Sequence, residues 1–434
     1  MYTQSNIPQQ ETQRSDSVSD VSQQSSSGDL LVNNLVYSQP KALSLAINRT
    51  YNRQWFQRDQ YNNGSTAIID WNTGSDYVKA CNSYLTFKVA TTGAGSTANF
   101  GSGSAMNLIR EIKVRSRSGT ELDRVERANL WSKIDSRYNM PEAYLKKFGE
   151  VQGYGATRVG ATDPANVVET TGTRFCIPLK ALSPFFRPVK GQMIPPQLAS
   201  GLHIEIVFED YRTALFQKAA TVSGYVVSDI QMMLDCVALT DDTQKTLNME
   251  SASTGLEYVY PRIYTSVTSH PSAQSNVSIQ VRKAVSQACL AYTVVLPQAA
   301  VNDVTLDSLN SVPWDTVNWN YRLGSLYFPH QQISDDAKDG KESYLHAQMT
   351  FDKVQHPFSE SSVSVTEFKT TDGIHAASFE KDTSLNISGL PINNSRVLEI
   401  QSTFDTFTGA REIVTFLEYT CVSKSYIDNT AVAL

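Results

Sequence analysis

The chain has 434 residues and a mass of 48.0 kDa, with a formal charge of −6. Apolar residues make up 41% and charged residues only 18%, below the ~25% usual for charged residues in soluble domains. The polarity therefore rests on Ser, Thr, Asn and Gln beside 20 Tyr and 17 Phe, a mixture suited to strands and turns, and it excludes a coiled coil, a collagen-like repeat and a wholly disordered chain.

The length fits two or three domains at roughly 100–200 residues each, or two large β domains. The small acidic total argues against wide phosphate neutralisation, so no sequence-specific nucleic-acid binding is expected. No run of ~18 apolar residues is present, so no membrane span is expected. The first residues lack the charged and apolar regions of a secretory signal. Cys81, Cys176, Cys236, Cys289 and Cys421 are far apart and never form a CxxC pair, which points to free thiols in a reducing compartment. The sequons at Asn48, Asn63, Asn276, Asn386 and Asn393 then read as chance products of an Asn/Ser/Thr-rich chain.

In chain order, residues 1–28 are half Ser and Gln with a net charge of −2 (Glu11, Asp16 and Asp20 against Arg14), and read as a flexible arm. Asn63-Gly64 and Ser118-Gly119 suggest tight hairpins. Arg110, Lys113, Arg115, Arg117, Arg124 and Arg127 interleave with Glu111, Glu121, Asp123 and Glu126, giving a mixed-charge surface or, alternatively, a subunit contact. Asp123–Tyr138 is the strongest helix signal, with Leu130, Ile134 and Tyr138 spaced i, i+4 and charges elsewhere. Prolines at 178, 184, 188, 195 and 196 predict a stiff connection without helix.

Period-two alternation predicts strands at Leu202–Phe208, Ile230–Cys236, Val277–Val281 and Val363–Val365, and the run Ile413–Leu417 reads as a more buried strand. The polar stretch Thr240–Ser253 divides the strands into two similar sets and marks a boundary. Glu342–Thr350 reads as a short helix with Leu345 and Met349 on one face.

Chemistry-bearing motifs fail on context. Gly93–Ala98 matches G-x-G-x-x-G/A, but Asn-Phe-Gly-Ser-Gly-Ser follows instead of a helix. The Asp335–Gly340 run resembles a calcium loop, yet position 3 is Ala337 and position 12 is His346. The six histidines form no metalloprotease or deaminase pattern, and no nucleophile elbow occurs. No catalytic, cofactor-binding or metal-binding residue is assigned and no enzyme activity is expected.

Several segments together resemble the double jelly-roll major capsid proteins of DNA viruses, most closely the virophage and Polinton-like group related to the giant-virus lineage. They are Thr173–Phe186 followed by Met193–Asp210, Ser228–Asp241, Asn320–Ile333, the C-terminal part from Leu390 through Tyr426, and Asp76–Phe87. His330 departs from the family pattern within Asn320–Ile333, and the loops are short for a large outer tower.

The expected fold is all-β: two tandem eight-stranded jelly-roll sandwiches with short helical excursions in loops. The expected domains are the arm 1–28, a first roll 29–240 and a second roll 241–434. The resemblance implies a homotrimer, a pseudo-hexagonal capsomer that tiles an icosahedral capsid shell in the virion, assembled in the host cell beside neighbouring capsomers, penton and other minor capsid proteins. The arm is the candidate for an inner clamp, and the loop Gly93–Ser104 with the loops of the second half are the candidates for the outer surface. The alternatives are a carbohydrate-binding β-sandwich, such as a lectin or viral fibre, and a jelly-roll glycosidase.

Overall fold

The computed structural model describes residues 46–433 apart from 94–96, 155–166, 219–220, 272–274, 312–315, 335–339, 353–360, 381–388, 394, 405–408, 427 and 429–430. The arm and the acidic run 335–339 lie outside the described residues.

The first strands are β1 (Ala46–Trp55), β2 (Gln60–Asn62), β3 (Thr66–Asp70), β4 (Tyr77–Val78), β5 (Tyr84–Thr92), β6 (Ala98–Asn99), β7 (Ile109–Arg115), β8 (Glu121–Glu126), β9 (Val167–Val168), β10 (Thr173–Pro178), β11 (His203–Phe208) and β12 (Gly224–Leu239). Then come β13 (Leu256–His270), β14 (Asn276–Val281), β15 (Val285–Pro297), β16 (Thr316–Leu323), β17 (Leu326–Ser334), β18 (His375–Ser378), β19 (Leu390–Ile392), β20 (Leu398–Phe404), β21 (Arg411–Ser425) and β22 (Ala431–Ala433).

They form two sandwiches with one plan. In the first, a sheet ordered β1-β12-β5-β10 faces one ordered β3-β11-β7-β8. In the second, β13-β21-β15-β18 faces β14-β20-β16-β17. Each is an eight-stranded jelly roll, and β1 and β13, like β8 and β17, hold equivalent positions. The alternation read from the sequence supplies the cores: Ile204, Ile206 and Phe208 on β11, and Val277, Ile279 and Val281 on β14, are buried. The run Ile413–Leu417 is buried on both faces, because one side of β21 faces its own roll and the other faces the first roll.

The registers fix how the rolls sit. Ala46 lies beside Leu239 at the end of β12, and Leu256 beside Ser425 at the end of β21. The start of β1, the linker and β22 thus lie at one end, the base. Base contacts join the rolls, with the Thr120 hydroxyl donating to the Ala431 carbonyl at 3.0 Å. At the opposite end the Ser102 amide donates to Asp307 at 2.6 Å, and Gln217 to the Val304 carbonyl at 2.7 Å. The rolls therefore stand side by side in the same orientation.

Several local expectations are corrected. The helix expected at Asp123–Tyr138 runs Ala128–Asn139, because Asp123–Glu126 belong to β8 and Arg127, at φ 54°, turns the chain. The polar stretch after β12 is itself a helix, Asp241–Ser253, with Asp241 and Asp242 in its first turn. Gly255, at φ 78°, ends that helix by giving its amide to the Glu250 carbonyl.

Asn63-Gly64 is no hairpin: β2 pairs with β12 and β3 with β11, so this turn carries the chain from one sheet to the other. Ser118-Gly119 does close the β7–β8 hairpin, with Gly119 at φ 85°. The proline-rich connection contains short helical turns at Leu179–Leu182 and Pro196–Ala199, where Pro sits at a helix start and loses no intrahelical bond. Val363–Val365 is not a strand, since Ser364 and Glu367 form a capping box that opens the helix Val365–Thr370. The helix Lys341–Thr350 turns Ser343, Ala347 and Gln348 inward and leaves Leu345 and Met349 exposed.

Candidate assembly surfaces

The two rolls are welded around the helix Ala128–Asn139, which is buried from Ala128 to Tyr138. A helix buried on every side must neutralise its charged residues. Lys133 lies 3.0 Å and Arg137 2.5 Å from the Asp372 carboxylate, and Arg137 also reaches Glu367 at 3.3 Å. Asp135 takes both arms of the Arg187 guanidinium at 2.7 Å each, and that guanidinium stacks over Trp131. Burial alone would raise the Asp372 carboxyl; Lys133 and Arg137 overcome it and hold the group far below the usual carboxylate range.

Strand β13 lies against the first roll along the edge of β8. The Tyr260 hydroxyl donates to the Leu122 carbonyl at 2.6 Å, the Thr265 hydroxyl to the Glu126 carbonyl at 2.9 Å, and Arg262 reaches Glu121 at 2.6 Å. Phe185 packs on Tyr258 and Tyr260, with ring centroids 5.3 and 5.0 Å apart, and accepts the Tyr258 hydroxyl on its carbonyl. As a result one apolar core runs through both rolls, from Leu85 and Ile112 to Tyr292 and Phe416, while the second roll keeps a further core around Trp319 and Leu417.

The mixed charges singled out in the sequence lie on the β7–β8 hairpin and its exit and are mostly paired. Arg124 bonds Glu111 and Glu126 at 2.7 Å each, Arg115 bonds Glu205 at 2.6 Å, and Arg127 bonds Glu412 on β21. Part of the set thus joins the two rolls of one chain. The expected outer loop behaves differently from its composition: among its described residues Ala98–Ser104 are buried, and Gly93 and Thr97 are exposed.

None of the five cysteines forms a disulfide. Burial pushes the Cys236 and Cys289 thiols up to about 11, which disfavours the thiolate a nucleophile needs. His375 stacks on Trp319 at 4.7 Å, and burial holds its pKa well below the ordinary value, so it sits neutral in the second core. Among the described residues no group of three or more His, Cys, Asp and Glu is placed to hold a metal, and no helix is long and apolar enough to cross a membrane.

Large apolar side chains do reach the surface on particular strands. On β1, the edge strand of its sheet, Ile47 is 66%, Tyr51 56% and Trp55 61% exposed. Arg49, between the first two, is held over Tyr51 and bonded to the buried Asp235 at 2.7 Å. On β17, the edge of the second roll, Leu326 and Tyr327 are exposed. Neither strand is marked as a surface by its alternation alone; the available signal on β1 was the large apolar residues Ile47, Tyr51 and Trp55 recurring every fourth position of an extended segment otherwise rich in Arg and Asn.

Solved structures share this arrangement of two rolls over nearly the whole chain. The Faustovirus major capsid protein aligns with a TM-score of 0.63 and 10% identity, covering 94% of this chain and 97% of its own. The PBCV-1 virus capsid aligns with a TM-score of 0.62 and 12% identity, covering 92% and 98%. This chain has the double jelly-roll fold. A chain from the Sputnik virophage structure shares the double jelly roll at a TM-score of 0.56 and 12% identity, covering 92% of this chain and 91% of its own. No protein-family model and no curated protein sequence matches the chain.

Proposed function

We propose that this double jelly roll is a major capsid protein, which trimerises into pseudo-hexagonal capsomers and tiles the icosahedral shell of a double-stranded DNA virus. The observation that carries the reading is the pair of equally oriented rolls welded through one buried helix, the whole aligning with viral capsid proteins over more than nine-tenths of the chain. Such a block presents two similar faces side by side, so three copies offer six rolls for a ring.

In this reading the domains are the arm 1–28, a first roll 29–240 and a second roll 241–434. The base, which holds the start of β1, the linker helix and β22, faces inward, and the arm clamps neighbouring capsomers or a minor capsid protein such as a penton subunit. The mechanism is assembly: rigid cores supply the blocks, and weaker lateral contacts join them. The virion is the place of action, with assembly in a reducing compartment where the thiols stay free. Electron microscopy of the purified protein at high concentration tests this. Trimeric or hexagonally packed particles are expected; dispersed single chains under all conditions contradict it.

A further inference from the structure

The contact between the rolls inside one chain uses strands whose topological counterparts are left open on the outside of the molecule. Within the chain, the edge strand of the first roll's smaller sheet, β8, meets the first strand of the second roll, β13. The topologically equivalent pair, β17 and β1, has no such partner: neither strand pairs along its outer edge with another strand among the described residues.

The two first strands also carry the same signature. Tyr260-Pro261-Arg262 on β13 supplies the hydroxyl and guanidinium that bond Leu122 and Glu121, and β1 carries Tyr51-Asn52-Arg53. Yet Tyr260 is fully buried against the first roll, whereas Tyr51 is 56% exposed. An exposed ten-residue edge strand with an apolar stripe invites coverage by another chain. The matching strand β17 displays Leu326 and Tyr327.

We propose that β1 of one chain packs against β17 of a second copy. Tyr51 takes the part that Tyr260 plays inside the chain, donating its hydroxyl to a backbone carbonyl of β17; Arg53, where Arg262 finds the Glu121 carboxylate, meets a strand without a carboxylate and bonds backbone oxygen instead; and Ile47, at the base end of β1, covers Leu326 and Tyr327. The contact joins different patches on the two copies, so repeating it gives a ring instead of a closed pair, and it has the hand of the step already made between β8 and β13. This deepens the trimer reading and rests on it.

The test places a photo-reactive benzoylphenylalanine at position 51 of the full chain and, as a control, at Val267, which is exposed elsewhere on β13. Irradiation of the wild-type-sized assembly is expected to link chains from position 51 but not from 267, with the linked peptide falling in 326–334. A protein that is trimeric by light scattering but cross-links from position 51 to another segment overturns this interface and leaves the trimer standing. A protein that is monomeric throughout overturns the trimer reading and this contact together. As a second measurement, Tyr51→Asp with Trp55→Asp, checked for unchanged circular dichroism, is expected to weaken trimer formation at least tenfold; an unchanged trimer also overturns the interface.

Discussion

Asp372 gathers two cations, Lys133 and Arg137, from the buried helix of the other roll. Removing one partner of a buried ion pair leaves uncompensated charge, so Asp372→Ala is expected to cost about 3–5 kcal/mol. Urea unfolding at neutral pH measures it, and a loss below about 1 kcal/mol would show that the helix is not held there. Asp123 behaves in the opposite sense. Burial pushes its carboxyl up to about 6, against hydrogen bonds from Ser183, Phe185 and Arg124 and the nearby Arg262. Folding therefore favours its protonated form. That contribution is full below an unfolded pKa of about 4 and is lost as pH rises through about 6. Glu418, pushed up to about 7 by burial, acts in the same direction. Stability is expected to fall between about pH 4 and pH 7, with a smaller fall in Asp123→Asn; parallel curves for the two proteins would contradict the assignment. Asp372 and Glu418 did not stand out in the sequence, because their partners Lys133, Arg137 and Arg187 lie more than 200 residues away in the other roll, and Asp123 was read only as part of a mixed-charge surface.

At the scale of elements, strands were more legible than helices. Alternation at β11 and β14 reports a half-buried sheet directly, whereas the inward faces of the helices are chosen by tertiary contacts. Leu345 and Met349 look like a core face, yet Ser343 faces inward because its hydroxyl accepts the Trp319 indole proton at 2.8 Å, and the small Ala347 allows close approach to the sheet. Leu345→Ser and Met349→Ser are accordingly expected to change stability by no more than about 0.5 kcal/mol, and Ala347→Leu to cost about 1–3 kcal/mol by overpacking. Thermal unfolding of the three variants decides; the reverse ranking would mean that the helix is rotated. Likewise, the helix Ala128–Asn139 was visible from Leu130, Ile134 and Tyr138, but its charged positions read as solvent-facing because the sequence does not show that a second roll covers them. The capping box at Ser364 was readable and was overridden by the neighbouring valines.

For the whole molecule, the two-part plan was legible because the polar linker interrupts two strand-rich stretches of similar length. The surfaces were not, since an exposed Trp55 and a buried Trp319 are alike in sequence. The proposed role of the arm has its own test: deletion of residues 1–28 is expected to leave trimers intact and impair shell assembly, and normal particles from truncated protein would contradict a clamp. The account as a whole rests on one quantity, the mass of the purified full-length protein in solution. Light scattering is predicted to give three chain masses, and a stable single-chain mass across the concentration range would contradict it.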